Sequence, residues 1–129
     1  MARSVFVSFV FEDKRFFDIV QRWAEEKKFG PDVVVIGETK DVRKEGDAAV
    51  RNHLKPRIEG SSAVLLLLGA NTHNHDWVKY EMSVATSFHK EIVVARIPDT
   101  SGAAPAGFQH IKPVLFDPTA LKAALSPAT

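Results

Sequence analysis

The amino-acid sequence predicts an α/β domain of the flavodoxin-like kind. The expected core is a five-stranded parallel sheet in the order 2-1-3-4-5, with helices on both faces. Two observations carry that expectation. Short runs of consecutive apolar residues, such as Ala63-Val64-Leu65-Leu66-Leu67-Leu68, lack the alternation of a half-wet strand, so they suit strands buried on both faces. These runs alternate with stretches whose apolar residues recur at helical spacing, the pattern of strands joined by crossover helices. In this architecture ligands bind where the winding reverses, beyond the C-terminal ends of the first and third strands.

The elements follow in chain order. Val5-Phe6-Val7-Ser8-Phe9 is β-branched and aromatic, and predicts the first strand. Asp13 to Phe29 predicts a helix with Phe16, Ile19, Val20 and Trp23 on one face, stopped by Gly30-Pro31. Val33 to Ile36 is a second buried strand, followed by a polar connection from Gly37 to Gly46. Asp47 to about Ile58 carries Val50, Leu54 and Ile58 at helical spacing, with a kink or an end expected near Lys55 because of Pro56. Ala63 to Leu68, closed by Gly69, is the third strand. A loop from Ala70 to His75 leads to a helix from Asp76 to about His89, with Asp76 as N-cap. Ile92 to Ile97 is the fourth strand, ended by Pro98. Thr100 to Phe108 is rich in Gly, Ala and Pro and is expected to be mobile. Val114-Leu115-Phe116 is a short fifth strand, and Asp117-Pro118 starts the last helix with Asp as N-cap. No internal repeat or long linker divides the chain, so one domain over residues 1–129 is expected.

Composition narrows the functional classes. Seventeen basic against sixteen acidic residues leave a net charge of +1, with no long basic run to drive nucleic-acid binding. The absence of cysteine removes disulfides, thiolate zinc sites and cysteine nucleophiles. The apolar runs are too short to span a membrane. A soluble cytoplasmic protein is the expectation.

The most informative residue is Glu81. On a helix, Trp77, Val78, Val84 and Ala85 lie beside it and Phe88 one turn further, all apolar. Burying a carboxylate costs several kcal/mol unless something compensates it. Such a residue has a structural partner or does chemistry, unless it sits at the edge of the stripe and reaches water by its stem. Its stripe runs into the crevice where ligands bind in this fold, which favours chemistry.

Other uses of the fold lack their residues. Leu68-Gly69 stands where a phosphate-accepting receiver domain needs an Asp, and Phe9 to Asp13 where a flavodoxin needs a phosphate loop. No dinucleotide fingerprint, Walker A loop or nucleophile elbow is present. His73, His75, Asp76 and Asn71 are too few to expect a metal, and His53, His89 and His110 read as surface or capping residues.

Three segments together resemble a known family. They are Val5 to Phe9 with Glu12-Asp13 behind it, Val64 to Leu68 with Gly69, and Asn71-Thr72 leading to Trp77-Val78-x-x-Glu81. This pattern, over about residues 3–97, is similar to the TIR-like family that includes the signal-producing protein of the Thoeris anti-phage defence system. The resemblance implies a TIR fold and cleavage of NAD between nicotinamide and ribose, with Glu81 as the catalytic residue and NAD as substrate rather than cofactor. It implies an ADP-ribose-derived signal, cyclised or conjugated, sensed by a separate effector protein. Gly37 to Gly46 falls where TIR domains carry a variable loop. A homo-oligomer is compatible with it; nucleic acid and membrane partners are not implied.

That chemistry suits the residues. Most glycosidases need two carboxylates, one of them to protonate the leaving group. Nicotinamide leaves NAD as a neutral molecule and needs no acid, so one carboxylate near the ribose suffices. Trp77 could wall the nicotinamide or ribose, or anchor the helix in the core. Phe9 could stack on a ring of the substrate or belong to the core. Ser8 and Asn71 stand at strand ends, placed to bond ribose hydroxyls or the diphosphate, or to cap loops. Asp13 and Arg15 could charge or cap the first helix, and Arg15 could meet the diphosphate or a neighbouring subunit. Two other classes compete: a non-catalytic TIR-like interaction module, and a nucleoside 2-deoxyribosyltransferase-like enzyme.

Overall fold

The computed structural model describes residues 3–37, 54–72 and 76–125, with the backbone alone at Phe11 and Trp77. Along the chain lie β1 (Arg3–Ser8), a 3-10 turn (Phe11–Asp13), α1 (Lys14–Glu25) and β2 (Val33–Gly37). Residues 54–59 are helical and form α2. Then come β3 (Ala63–Leu68), α3 (Asp76–Ser87), β4 (Glu91–Arg96), β5 (Val114–Leu115) and α4 (Pro118–Leu125).

The five strands form one sheet in the order β2-β1-β3-β4-β5, and every neighbouring pair is parallel. The expected flavodoxin-like order is therefore the observed one. β3 sits at its centre, and all six of its residues are buried. Side chains alternate between the faces, so β1 sends Val5 and Val7 one way and Phe6 and Ser8 the other. Val5, Val7, Leu65, Leu67, Val93 and Ala95 pack with Phe17, Val20 and Ala24 of α1 and Leu121 and Leu125 of α4. Phe6, Val64, Leu66, Leu68 and Val94 pack with Leu54 and Ile58 of α2 and Val78, Met82 and Ala85 of α3.

Several boundaries differ from the expectation, each for a local reason. α1 ends at Glu25, not at Phe29. Lys28 N–H donates to the Trp23 carbonyl at 2.9 Å and Lys27 N–H to the Ala24 carbonyl at 3.0 Å, with Lys27 left-handed at φ 63°. These are the bonds of a Schellman stop, usually built on glycine. α3 ends the same way before His89, with φ 56° and a 2.9 Å bond from Lys90 N–H to the Ala85 carbonyl. β4 begins and ends one residue earlier than expected, and β5 stops at Leu115.

The buried face of α1 is Phe17, Val20 and Ala24. Phe16 and Trp23 instead turn sideways onto Phe116, with ring centroids 5.5 and 5.0 Å away, because β5 and α4 provide a second apolar seam there. α2 does not end at Lys55. It runs through Pro56 to Glu59, held by the buried Leu54 and Ile58 and closed by Gly60 N–H on the Pro56 carbonyl. The expected helix start at Asp47 and most of the polar connection after Gly37 lie outside the described residues. The N-cap expected at Asp117 is present: its carboxylate accepts from Ala120 N–H at 3.0 Å. Asp76 is the first helical residue of α3.

Candidate active site

Ser8 ends β1 on the face that α3 crosses. Its hydroxyl donates to Oε1 of Glu81 at 2.9 Å, a buried bond between residues 73 apart in sequence. Ser8 is fully buried and Glu81 only 5% exposed. Val78, Met82, Val84 and Ala85 are buried around Glu81 on the same helix and Phe88 is half-buried, so among the described side chains the expected stripe is present, with Met82 added to it. A carboxylate so enclosed needs donors to offset its lost hydration, and the Ser8 hydroxyl is one.

The loops at the strand ends converge. Gly69, just past β3, has its N–H on the Thr72 hydroxyl oxygen at 2.8 Å, and that buried hydroxyl lies 3.4 Å from the Leu67 carbonyl. Gly69-x-x-Thr72 is thus a turn closed by its own side chain. A β-carbon on Gly69 would run into the Asp13 carboxylate. The turn after β1 therefore rests directly on the end of β3, at the point where the winding of the sheet reverses.

The segment after β4 packs onto the same strand end. Gly102 packs so closely on the carbonyls of Gly69 and Ala70 that no side chain would fit there. Arg96 donates to the Gly102 carbonyl at 2.7 Å, and Thr100 bonds the Ile97 carbonyl at 2.7 Å and the Leu68 carbonyl at 3.3 Å. The expectation of a mobile stretch from Thr100 is corrected by these ties and by the burial of Ala104. Composition could not show the ties to Leu68, Gly69 and Ala70, because those residues lie about thirty positions earlier.

Of the residues singled out in the sequence, Ser8 and Glu81 meet, and Asp13 meets the end of β3. Phe9 lies on the opposite face from Ser8, its ring stacked on Phe17 at 4.8 Å and 9°. Arg15 is exposed on α1 with its guanidinium 4.7 Å over the Phe16 ring. Asn71 is exposed in the loop after β3. The Trp77 side chain, His73 and His75 lie outside the described residues. The roles of Thr72, Thr100 and Gly102 were missed. A Thr three residues after a strand-ending Gly was the one signal that could have found the first.

A parallel 2-1-3-4-5 sheet with helices on both faces defines the flavodoxin-like class of α/β domain. Solved structures share that fold. The TIR domain of the Toll-related receptor TRR-2 from Hydra magnipapillata is 11% identical with a TM-score of 0.61, over 86% of this chain and 82% of that one. A 2-desoxiribosyltransferase from Leishmania mexicana is 15% identical with a TM-score of 0.57, over 73% of this chain and 64% of that one. The TIR domains of the activated Roq1 resistosome, which recognises the pathogen effector XopQ, are 19% identical with a TM-score of 0.55, over 74% and 57%. The chain thus spans under two thirds of the transferase and of the Roq1 chain. No curated protein sequence matches. The chain belongs to the TIR-like domain family of the Thoeris protein ThsB, whose model matches residues 6–102.

Proposed function

We propose that this domain is an NAD-cleaving enzyme that makes an ADP-ribose-derived signal in anti-phage defence, with Glu81 as its catalytic residue. The observation that carries the reading is Glu81 itself: an acid 5% exposed, bonded to the end of β1 where the winding of the sheet reverses, in the family of ThsB. The bond from ribose C1′ to the nicotinamide nitrogen breaks. Its electron pair goes to nicotinamide, which leaves neutral. The Glu81 carboxylate stabilises the positive charge that grows on the ribose. A nucleophile then bonds to C1′ and gives up its proton. Where water is kept out, that nucleophile is a nitrogen or hydroxyl of the same nucleotide or of a second small molecule, and the product is cyclic or conjugated. Asp13, Arg15, Asn71 and Trp77 are the candidates for contact with the nucleotide, Phe9 being taken up by its stack on Phe17 on the other face. The proposed partners are NAD, an effector reached through the product, and further copies of the chain, all in the cytoplasm. Among the described residues no helix is long and apolar enough to cross a membrane.

The test is mass spectrometry of nucleotides from phage-challenged cells holding wild type or Glu81→Gln at matched levels. A new ADP-ribose derivative with wild type alone is expected, with product down by ~10²–10³-fold or more in the variant. Equal product in both would remove Glu81 from catalysis.

The Ser8–Glu81 bond also suits a second reading, a non-catalytic interaction module in which Glu81 is a structural acid. Glu81→Gln would then alter stability or assembly, and NAD would stay intact in wild type and variant alike.

A further inference from the structure

We infer that Ser8 is a positioning residue of Glu81, anchoring one oxygen of its carboxylate at the end of β1. The inference rests on the reading of Glu81 as catalytic. Ser8 is a fully buried hydroxyl on a strand whose neighbouring positions are apolar, and its hydrogen goes to Glu81 Oε1. A serine hydroxyl has one hydrogen, so this bond takes the whole of its donor capacity. Ser8 therefore does not donate to a substrate hydroxyl or diphosphate while the bond stands. Its sequence position suggested that contact; its geometry directs the hydroxyl into the protein.

The two ends of this bond differ in freedom. Ser8 belongs to a strand with partners on both sides, in register with Leu66 of β3. Its hydroxyl is a reference point held by the sheet. Glu81 projects from a helix on a side chain with three rotatable bonds, which by itself samples several rotamers. Pinning Oε1 to the strand narrows the rotamers, and so the directions in which the rest of the carboxylate can face. Electrostatic help to a growing charge depends on such preorganisation, and sub-ångström errors in placement are expensive in rate. The effect falls on the chemical step rather than on the hold of the nucleotide.

The experiment measures NAD turnover against NAD concentration in extracts of phage-challenged cells holding wild type, Ser8→Ala, Ser8→Thr or Glu81→Gln, per mole of folded protein. Ser8→Ala is expected to lower kcat by ~10–10²-fold with KM changed less than about twofold, and Ser8→Thr, which restores the hydroxyl, to recover most of it. A kcat within about twofold of wild type in Ser8→Ala, or a rise in KM that accounts for the whole loss, overturns the assignment. If Ser8→Ala does not fold, Ser8→Thr against Ser8→Cys makes the comparison, since a thiol is a weak donor in the same place. Equal kcat in those two also overturns it. An active wild type, a dead Glu81→Gln and an unimpaired Ser8→Ala defeat only the role of Ser8. A wild type without turnover, or an active Glu81→Gln, defeats the enzymatic reading instead.

Discussion

The two faces of the sheet are built on the same strands and bury different things. Under α1 and α4 the packing is apolar throughout, with the rings of Phe9, Phe16, Phe17, Trp23 and Phe116 gathered along one side. Among the described residues, the buried polar side chains are Ser8, Ser61, Thr72 and Glu81, and none belongs to that face. Ser8 and Glu81 bond each other between β1 and α3. Ser61 donates to the Arg57 carbonyl at the end of α2, and Thr72 closes the turn after β3. Since successive residues of a strand point to opposite faces, β1 gives Val5 and Val7 to a dry core and Ser8 to a polar pair within a few ångströms. Both faces supply apolar packing, and the face under α2 and α3 also carries a buried acid that does nothing for it.

That contrast can be broken by experiment. The largest effect on stability is expected from Leu121→Ala, which empties a fully buried site under α4. It should lower the unfolding free energy by about 2–5 kcal/mol in urea titration. NAD turnover per folded molecule should stay near wild type, and a loss as deep as that of Glu81→Gln would mean the faces are not separable. Gly69→Ala comes next. Its added carbon meets the Asp13 carboxylate, so the turns after β1 and β3 must part, at about 1–3 kcal/mol. Here stability and turnover should fall together; an undisturbed variant would show that the two turns are not held tightly to each other. The smallest effect is Asp117→Ala, which removes the N-cap of α4 and should lower stability by about 1 kcal/mol with turnover intact. A change in product formation there would tie the apolar face to the chemistry.

How much of this was legible in the chain varies with the range of the interaction. β3 was readable to the residue, because its apolar run is unbroken and Gly69 ends it. The N-cap of α4 was readable because Asp117-Pro118 is a local signal. The ends of α1 and α3 were not, since Lys27 and His89 take the left-handed position that a glycine would have advertised. Phe17 was passed over in favour of Phe16, because two seams meet α1 and periodicity alone does not rank them.

The chain by itself determined the sheet order, the alternation of strands and helices, and the presence of an acid within an apolar stripe at α3. These depend on residue type and on spacing within one element, which hydrophobic burial and backbone geometry convert directly into structure. Only the tertiary structure decided that Ser8 holds Glu81, that Asp13 rests on Gly69, and that Thr100 and Gly102 close over the end of β3. Each of those pairs residues from different elements. The meeting depends on which face a strand end presents and where a helix crosses it, and neither is encoded in the local spacing of residues.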